Sequence, residues 1–380
     1  MTVEMYHPKR RYLEFYLSRE LSILGHDVNL ISFTDNRCIK VKRDHSGFIL
    51  HRVPYWGSIQ GYRIPSLSAI RYIFSYLKDE VPDIIHCQPL FSPLSIAVSL
   101  KGRQLGSKIV GSLISGIYVI DNTQSYVNYI ISKLMTDWYL NRVVSFFFAK
   151  SRGLKKILRT LYNLDPSRIQ VIPLGADHNF FVYNEKSRIR IREKLNLKDT
   201  DLLIIWSGKL NELKQVEVLL DAVAPTINLN QNVKLLILGE GNNEYSDYLR
   251  NTCERYGISD NVIFHSLVDF EDLPAFFSAG DFAVWPAGAS ISMLEAASCG
   301  LPLISMRSPI EEYVITPENA LVFEQGNTSE LHNHLEELVN NAKLREEMGR
   351  NSRMLVEKAL NWRAIANRYV ETYESTRCHE

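Results

Sequence analysis

The feature that most restricts this chain is an alternation of apolar strands with amphipathic helices, run twice. "LSRELSILGHDVNLISF" is a helix that stops near Gly25 and passes into an apolar strand, and "LKDEVPDIIHC" repeats the helix, Pro, strand order. "QLGSKIVGSLISG", "VVSFFFAKSRGLKKIL" and "SRIQVIPLGAD" continue it. Short apolar strands separated by helices form a parallel sheet covered on both faces. The pattern restarts with "DLLIIWSGKLNELKQVEVLLDAV" and runs through "VKLLILGEGNNEYSDYLRNTCERYG", "NVIFHSLVDFEDLPAFFSAG", "DFAVWP" and "LEAASCGLPLISM". The charged stretch "NEKSRIRIREKLNLKDTD" is read as connective and places a boundary near residues 175 to 200. After "NALVF" only helices follow. At 380 residues the chain exceeds one ordinary core and suits two domains.

Composition excludes several classes. Charged residues are 23% and hydrophobic ones 46%, and no run approaches the roughly 18 apolar residues of a membrane helix. The start, "MTVEMYHPKRR", lacks the apolar core of a signal peptide, so a cytoplasmic protein is expected. The five cysteines are never spaced Cys-x-x-Cys, which argues against a disulfide framework and a zinc knuckle.

The zero net charge hides an asymmetry. Through residue 178 basic residues exceed acidic ones by ten, and the remainder carries the opposite excess. A basic N-terminal half suits a phosphorylated partner or a membrane surface, and equally suits docking of two oppositely charged halves.

Candidate site residues cluster in the second half. "WSGKLNELK" follows a strand, with Gly208 at the turn and Lys209 and Lys214 flanking it. At the carboxyl end of a strand, two ammonium groups and a helix start would neutralise a diphosphate; solvated lysines are the alternative. "LILGEGNNEY" places Gly239 and Gly241 at another strand end, where a plain tight turn is also sufficient. In "WPAGASISMLEAASCGLPLI" small residues bring backbone close to a ligand, and Ser290 or Ser292 is placed to cap the helix carrying Glu295. That carboxylate suits a ribose diol, or merely the helix dipole.

Outside that half, His86 ends a strand where a general acid or base, or a structural histidine, fits. Lys9, Arg10 and Arg11 suit an anion or solvent, and residues 125 to 149 an interface or a core.

Taken in order and spacing, "SGKLNELK", "LGEG", "LPAFFSAGDFAVWP", "LEAASCGLPLI", "EEYV", "NALVF" and "NWRAIANRYVETYE" resemble the retaining nucleotide-sugar glycosyltransferases of family 4. The resemblance is strong from about residue 168 to 375. It implies an α/β GT-B fold, two Rossmann-like doubly wound parallel-sheet domains facing a cleft. An acceptor domain would span 1–178, a donor domain 179–360, and a helix over 361–380 would cross back to the first.

The donor implied is a nucleoside diphosphate sugar, with no metal and no other cofactor. Lys209 and Lys214 would grip the diphosphate and carry catalysis, and Glu295 would hold the ribose. Gly208, Gly239, Ser266, Val268, Ala289, Ser290 and Ile291 would complete the donor site.

Three positions depart from the family pattern. Ala287 stands where a sugar-facing glutamate is usual, Ser115 where a histidine is, and "HPKRRY" where a Gly-rich loop is. The acceptor expected is a glycan or lipid-linked molecule, the charge of the basic half suggests peripheral membrane contact, and no nucleic acid is expected as partner. Other readings are a non-catalytic subunit of the same fold, binding a nucleotide sugar or a partner transferase, and a nucleotide-sugar epimerase.

Overall fold

A computed structural model describes residues 2–5, 13–59, 62–90, 92–113, 139–288, 290–308 and 313–375. The chain forms two compact units, residues 1–174 with 362–380, and residues 175–361.

The first unit carries a sheet in the order β3-β4-β2-β1-β6-β7-β8-β9. Its strands are β1 (Thr2–Met5), β2 (Asn29–Thr34), β3 (Lys40–Arg43), β4 (Ile49–Ile59), β6 (Ile84–Cys87), β7 (Lys108–Leu113), β8 (Phe146–Ala149) and β9 (Ile169–Val171). They run parallel except β3, which is antiparallel to β4, as is the short β5 (Tyr62–Pro65) that completes a hairpin with it. Helices α1 (Leu13–Ile23), α2 (Leu67–Glu80), α3 (Pro93–Gln104) and α4 (Arg152–Leu161) fill the crossovers.

Serines start three of these helices. Ser66, Ser92 and Ser151 each accept a backbone N–H in the first turn, satisfying a donor the helix leaves open. The core is aromatic and aliphatic, with Phe33, Phe147 and Tyr139 fully buried. The closing helix of the chain, α12 (Trp362–Ser375), belongs to this unit: Trp362 stacks on Tyr16 with centroids 5.1 Å apart, and Arg363 pairs with Glu20 at 2.9 Å.

The second unit holds an all-parallel sheet ordered β12-β11-β10-β13-β14-β15. These are β10 (Leu202–Ser207), β11 (Val233–Leu238), β12 (Val262–His265), β13 (Phe282–Trp285), β14 (Leu303–Met306) and β15 (Ala320–Phe323). Its helices are α5 (Glu185–Lys194), α6 (Val216–Leu229), α7 (Asn243–Tyr256), α8 (Leu273–Ala279), α9 (Ile291–Ser298), α10 (Thr328–Asn340) and α11 (Ala342–Ala359). The central strands are buried along nearly their whole length, as a sheet covered on both faces requires.

The stretch read as connective is structured. It forms α5, whose Arg188 pairs with Asp281 at 2.7 Å and whose buried Arg192 donates to the Ala279 carbonyl at 3.1 Å. Asp281 also accepts the Leu203 N–H at 2.7 Å. Two guanidinium groups therefore bolt α5 to the starts of β10 and β13, and the charges that make the segment look like a linker are the contacts that hold it.

Candidate functional site

The strand order of the second unit fixes where a ligand fits. The chain builds outward from β10 through β11 to β12, then returns to the other side of β10 for β13, β14 and β15. The crossovers leaving β10 and β13 diverge at their carboxyl ends, which opens the crevice where doubly wound sheets bind ligands. The loop after β10 carries Gly208, Lys209 and Lys214, and the loop after β13 leads into α9 with Ser290, Ile291 and Glu295.

One backbone carbonyl ties the two loops. Ser207 O accepts from the indole Nε1 of Trp285 at 3.1 Å and from Ser292 Oγ at 3.0 Å. Ser292 and Ser290 hydroxyls lie 2.6 Å apart. Because the Ser292 proton is engaged with Ser207, Ser290 is the donor in that pair.

Donation leaves the Ser290 oxygen able to accept, yet it takes no N–H from the helix. Ser290 occupies the N-cap position without a side-chain cap bond, which corrects the expected capping role and leaves the first N–H groups of α9 free of one. Met293 N–H turns back to the Ser290 carbonyl at 3.1 Å, and N–H groups at the positive end of a helix are of the kind that can receive an anion.

The start of α6 is different. Val216 N–H is taken by the Tyr245 hydroxyl at 3.0 Å, and Tyr245 in turn donates to Glu217. What the loop after β10 contributes is its two ammonium groups: Lys209 is exposed, Lys214 is half-buried, and neither forms an ion pair with a described residue.

Glycines set how closely the loops approach. Gly208 N–H donates to Leu238 O at 3.1 Å and Gly239 N–H to His265 O at 3.0 Å. A Cβ on Gly239 would stand 1.8 Å from Gly208 O, and one on Gly241 1.8 Å from Leu210 O. No side chain fits at either position, so the loops after β10 and β11 are pressed together at backbone distance. Exposed Ser266 and half-buried Val268 follow β12, one strand further out along the same sheet edge.

Glu295 is 9% exposed, and its carboxylate accepts no hydrogen bond from a described residue. Burial pushes its pKa up to about 8. A buried carboxylate lacking donors is complementary to a ligand that brings them, such as a diol. Ala287, half-buried before Gly288 at φ 84°, brings no second carboxylate to the loop.

His86 belongs to the other unit. It is buried in the first unit, with Nδ1 2.8 Å from the Tyr373 hydroxyl and Nε2 2.7 Å from Ser112 Oγ. Burial lowers its pKa to about 3, so it is neutral with both ring nitrogens engaged, and its role is structural. Ala289, Ser115, Lys9, Arg10, Arg11 and residues 125–138 lie outside the described residues.

Sequence reasoning missed Ser207 and Trp285. Ser207 is the anchor of the bracket, and its own buried hydroxyl has no partner among the described residues. The only available sign was polar residues at the ends of two apolar strands, in "IIWSG" and "AVWPAG".

Residues 15–180 match the family model for Glycosyltransferase Family 4, and residues 187–354 that for Glycosyl transferases group 1. Among curated proteins, an uncharacterized glycosyltransferase of Methanocaldococcus jannaschii is 25% identical over 59% of this chain and 58% of its own. A GDP-mannose-dependent monoacylated α-(1-6)-phosphatidylinositol monomannoside mannosyltransferase of Corynebacterium glutamicum is 28% identical over 54% of this chain and 55% of its own. The chain thus spans little more than half the length of these relatives.

Solved structures match across both units. HepE of Anabaena in complex with UDP superposes with a TM-score of 0.77 at 14% identity, over 98% of this chain and 99% of that one. Sucrose-phosphate synthase of Thermosynechococcus elongatus gives 0.74 at 19% identity, over 96% and 93%. These likenesses give the fold, which is GT-B, and the two family models leave only residues 181–186 and the chain ends unmatched. In sequence and fold alike, the chain belongs to the group 1, family 4 type of glycosyltransferases.

Proposed function

We propose that the protein transfers a sugar from a nucleoside diphosphate sugar, held at the β10/β13 crevice of the second unit, to a glycan or lipid-linked acceptor held by the first. The observation that carries this reading is the Ser207 bracket. It sets the Lys209 and Lys214 loop beside the uncapped start of α9, on which Glu295 rides. Cationic side chains and free N–H groups suit the diphosphate, and the buried carboxylate suits the ribose.

In this mechanism the barrier falls because charge developing on the departing diphosphate meets Lys209, Lys214 and the positive end of α9 already in place. Two ammonium groups supply the charge a divalent ion would bring, so transfer proceeds without metal. Retention at the anomeric carbon follows the family resemblance, and we place the reaction in the cytoplasm.

The relatives favour a donor of this class: HepE is solved with UDP, and the Corynebacterium relative is named for GDP-mannose. The test is incubation with UDP-, GDP- and ADP-sugars in chelator. Slow hydrolysis of one donor, abolished by Lys209→Ala, supports the transferase. Ala287 favours one second reading, a nucleotide-sugar-binding subunit without turnover, which is the outcome if a donor binds and is never consumed even with lipid and glycan acceptors present.

A further inference from the structure

The first unit has an edge whose chemistry the transferase site does not use. From Asp35 to Arg63 the sequence holds six basic residues, Arg37, Lys40, Lys42, Arg43, Arg52 and Arg63, against two acids, Asp35 and Asp44. Four of them lie on or before β3, the outermost strand of the sheet, and all four residues of β3 are exposed. A bare edge strand ordinarily invites another strand, and lysines on it oppose such pairing, so a second copy of the chain is a poor occupant.

The neighbouring strand adds an aromatic side chain. β4 runs past the end of β2, whose last residue, Thr34, pairs with Pro54. Beyond that point it pairs only with β5, and the register slips between Tyr55 and Gly57. The bulge turns Trp56 outward, to 70% exposure.

Leu67, 56% exposed, begins α2 two residues after Pro65, the partner of Tyr55. Val41, 54% exposed, sits within β3. Lys40 pairs with Arg52, four residues before Trp56 along β4, or about 13 Å at strand rise.

The hairpin is held firmly enough to present this residue. Tyr55 donates to Asp35 at 2.6 Å, and the Arg63 guanidinium lies 5.0 Å from the Tyr55 ring. Leaving an indole in water is unfavourable unless something covers it, and basic residues beside it select an anionic cover. Tryptophan with lysine and arginine is the combination that settles at the headgroup level of a bilayer. Among the described residues no helix is long and apolar enough to cross a membrane.

We propose that the β3–β5 edge docks on an anionic lipid surface, with Trp56 entering the headgroup layer and Lys40 and Lys42, which share one face of β3, meeting lipid phosphates. The inference stands apart from the transferase reading, because lipid binding needs neither donor nor turnover. A failed donor assay leaves it intact, and a failed vesicle assay leaves the donor site intact.

The test is co-sedimentation of the full chain with vesicles of phosphatidylcholine alone and with 30% phosphatidylglycerol (about a third anionic lipid, chosen for a strong surface potential). Binding is expected to the mixed vesicles only, to fall with salt, and to shift Trp56 emission to the blue relative to Trp56→Phe. Each charge removed should weaken partition about five-fold, so Lys40→Gln with Lys42→Gln should weaken it about 25-fold. Trp56→Ala should weaken it about ten-fold. These side chains are exposed, so thermal midpoints should not move. Absence of binding to the mixed vesicles overturns the proposal, and so does binding that survives both variants or that proceeds with no change in Trp56 emission.

Discussion

The Ser292 hydroxyl donates to the Ser207 carbonyl at 3.0 Å, joining the first turn of α9 to the last residue of β10. The Trp285 indole shares that carbonyl, so Ser292→Ala removes one of two ties. We expect a loss of about 1 kcal/mol in chemical denaturation and a several-fold loss of nucleoside diphosphate affinity, with Ser292→Thr close to wild type.

In the proposed mechanism Lys209 and Lys214 act on the leaving group. Removing either should lower turnover by about 10²–10³-fold while leaving the melting temperature unchanged, since neither ammonium group has a partner among the described residues. Unchanged turnover in Lys214→Ala, measured with saturating donor, contradicts this role.

Gly239 tests the backbone approach of the two loops. In Gly239→Ala the new methyl collides with Gly208 O, with no flexible side chain to give way. We expect at least about 2 kcal/mol of destabilisation and loss of donor binding, read by calorimetric melting with and without the nucleoside diphosphate.

Glu295 makes the second unit sensitive to alkali. Its folded pKa of about 8 lies above the ordinary 4.5, so the stability it contributes is complete below about pH 4.5 and is lost as pH rises through 8. Glu295→Gln should flatten that slope and stabilise the ligand-free protein at pH 8 by on the order of 2–4 kcal/mol, read as a raised melting temperature. It should also weaken nucleotide binding. A diol binds the carboxylate form, so wild-type binding at pH 7 should release close to one proton, visible as a buffer-dependent enthalpy.

His86 works in the opposite direction in the first unit. Its pKa is lowered to about 3, and that of His51, bonded to Tyr72 and Asn29, to about 4, both through burial. The stability held by the neutral rings is present above the ordinary value of 6.5 and is lost as pH falls from there through 4 toward 3. His86→Gln should blunt this acid lability without altering the pH profile of turnover. An altered profile would show that His86 serves the chemistry.

The alternation of strands and helices, and with it the class of fold, was legible because hydrophobic periodicity is local. The fate of residues 184–201 was not: Arg188 and Arg192 look like solvated charges until Asp281, about ninety positions away, is seen beside them. At the site, Lys209, Gly239 and Glu295 announced themselves as residue types at strand ends. The Ser207 carbonyl could not, because a backbone acceptor has no letter of its own. Nor could the sequence tell that the Ser290 hydroxyl pairs with Ser292 while its oxygen accepts no N–H from the helix.

In the proposed function the β10/β13 crevice binds a nucleoside diphosphate through Lys214 and Glu295. Its most direct test is calorimetric titration of UDP, GDP and ADP into the wild type, Lys214→Ala and Glu295→Gln. One of the three is expected to bind the wild type and to bind both variants at least ten-fold more weakly, with ligand-free melting temperatures no lower. If none binds, or if the one that binds is indifferent to both substitutions, the crevice is not the donor site.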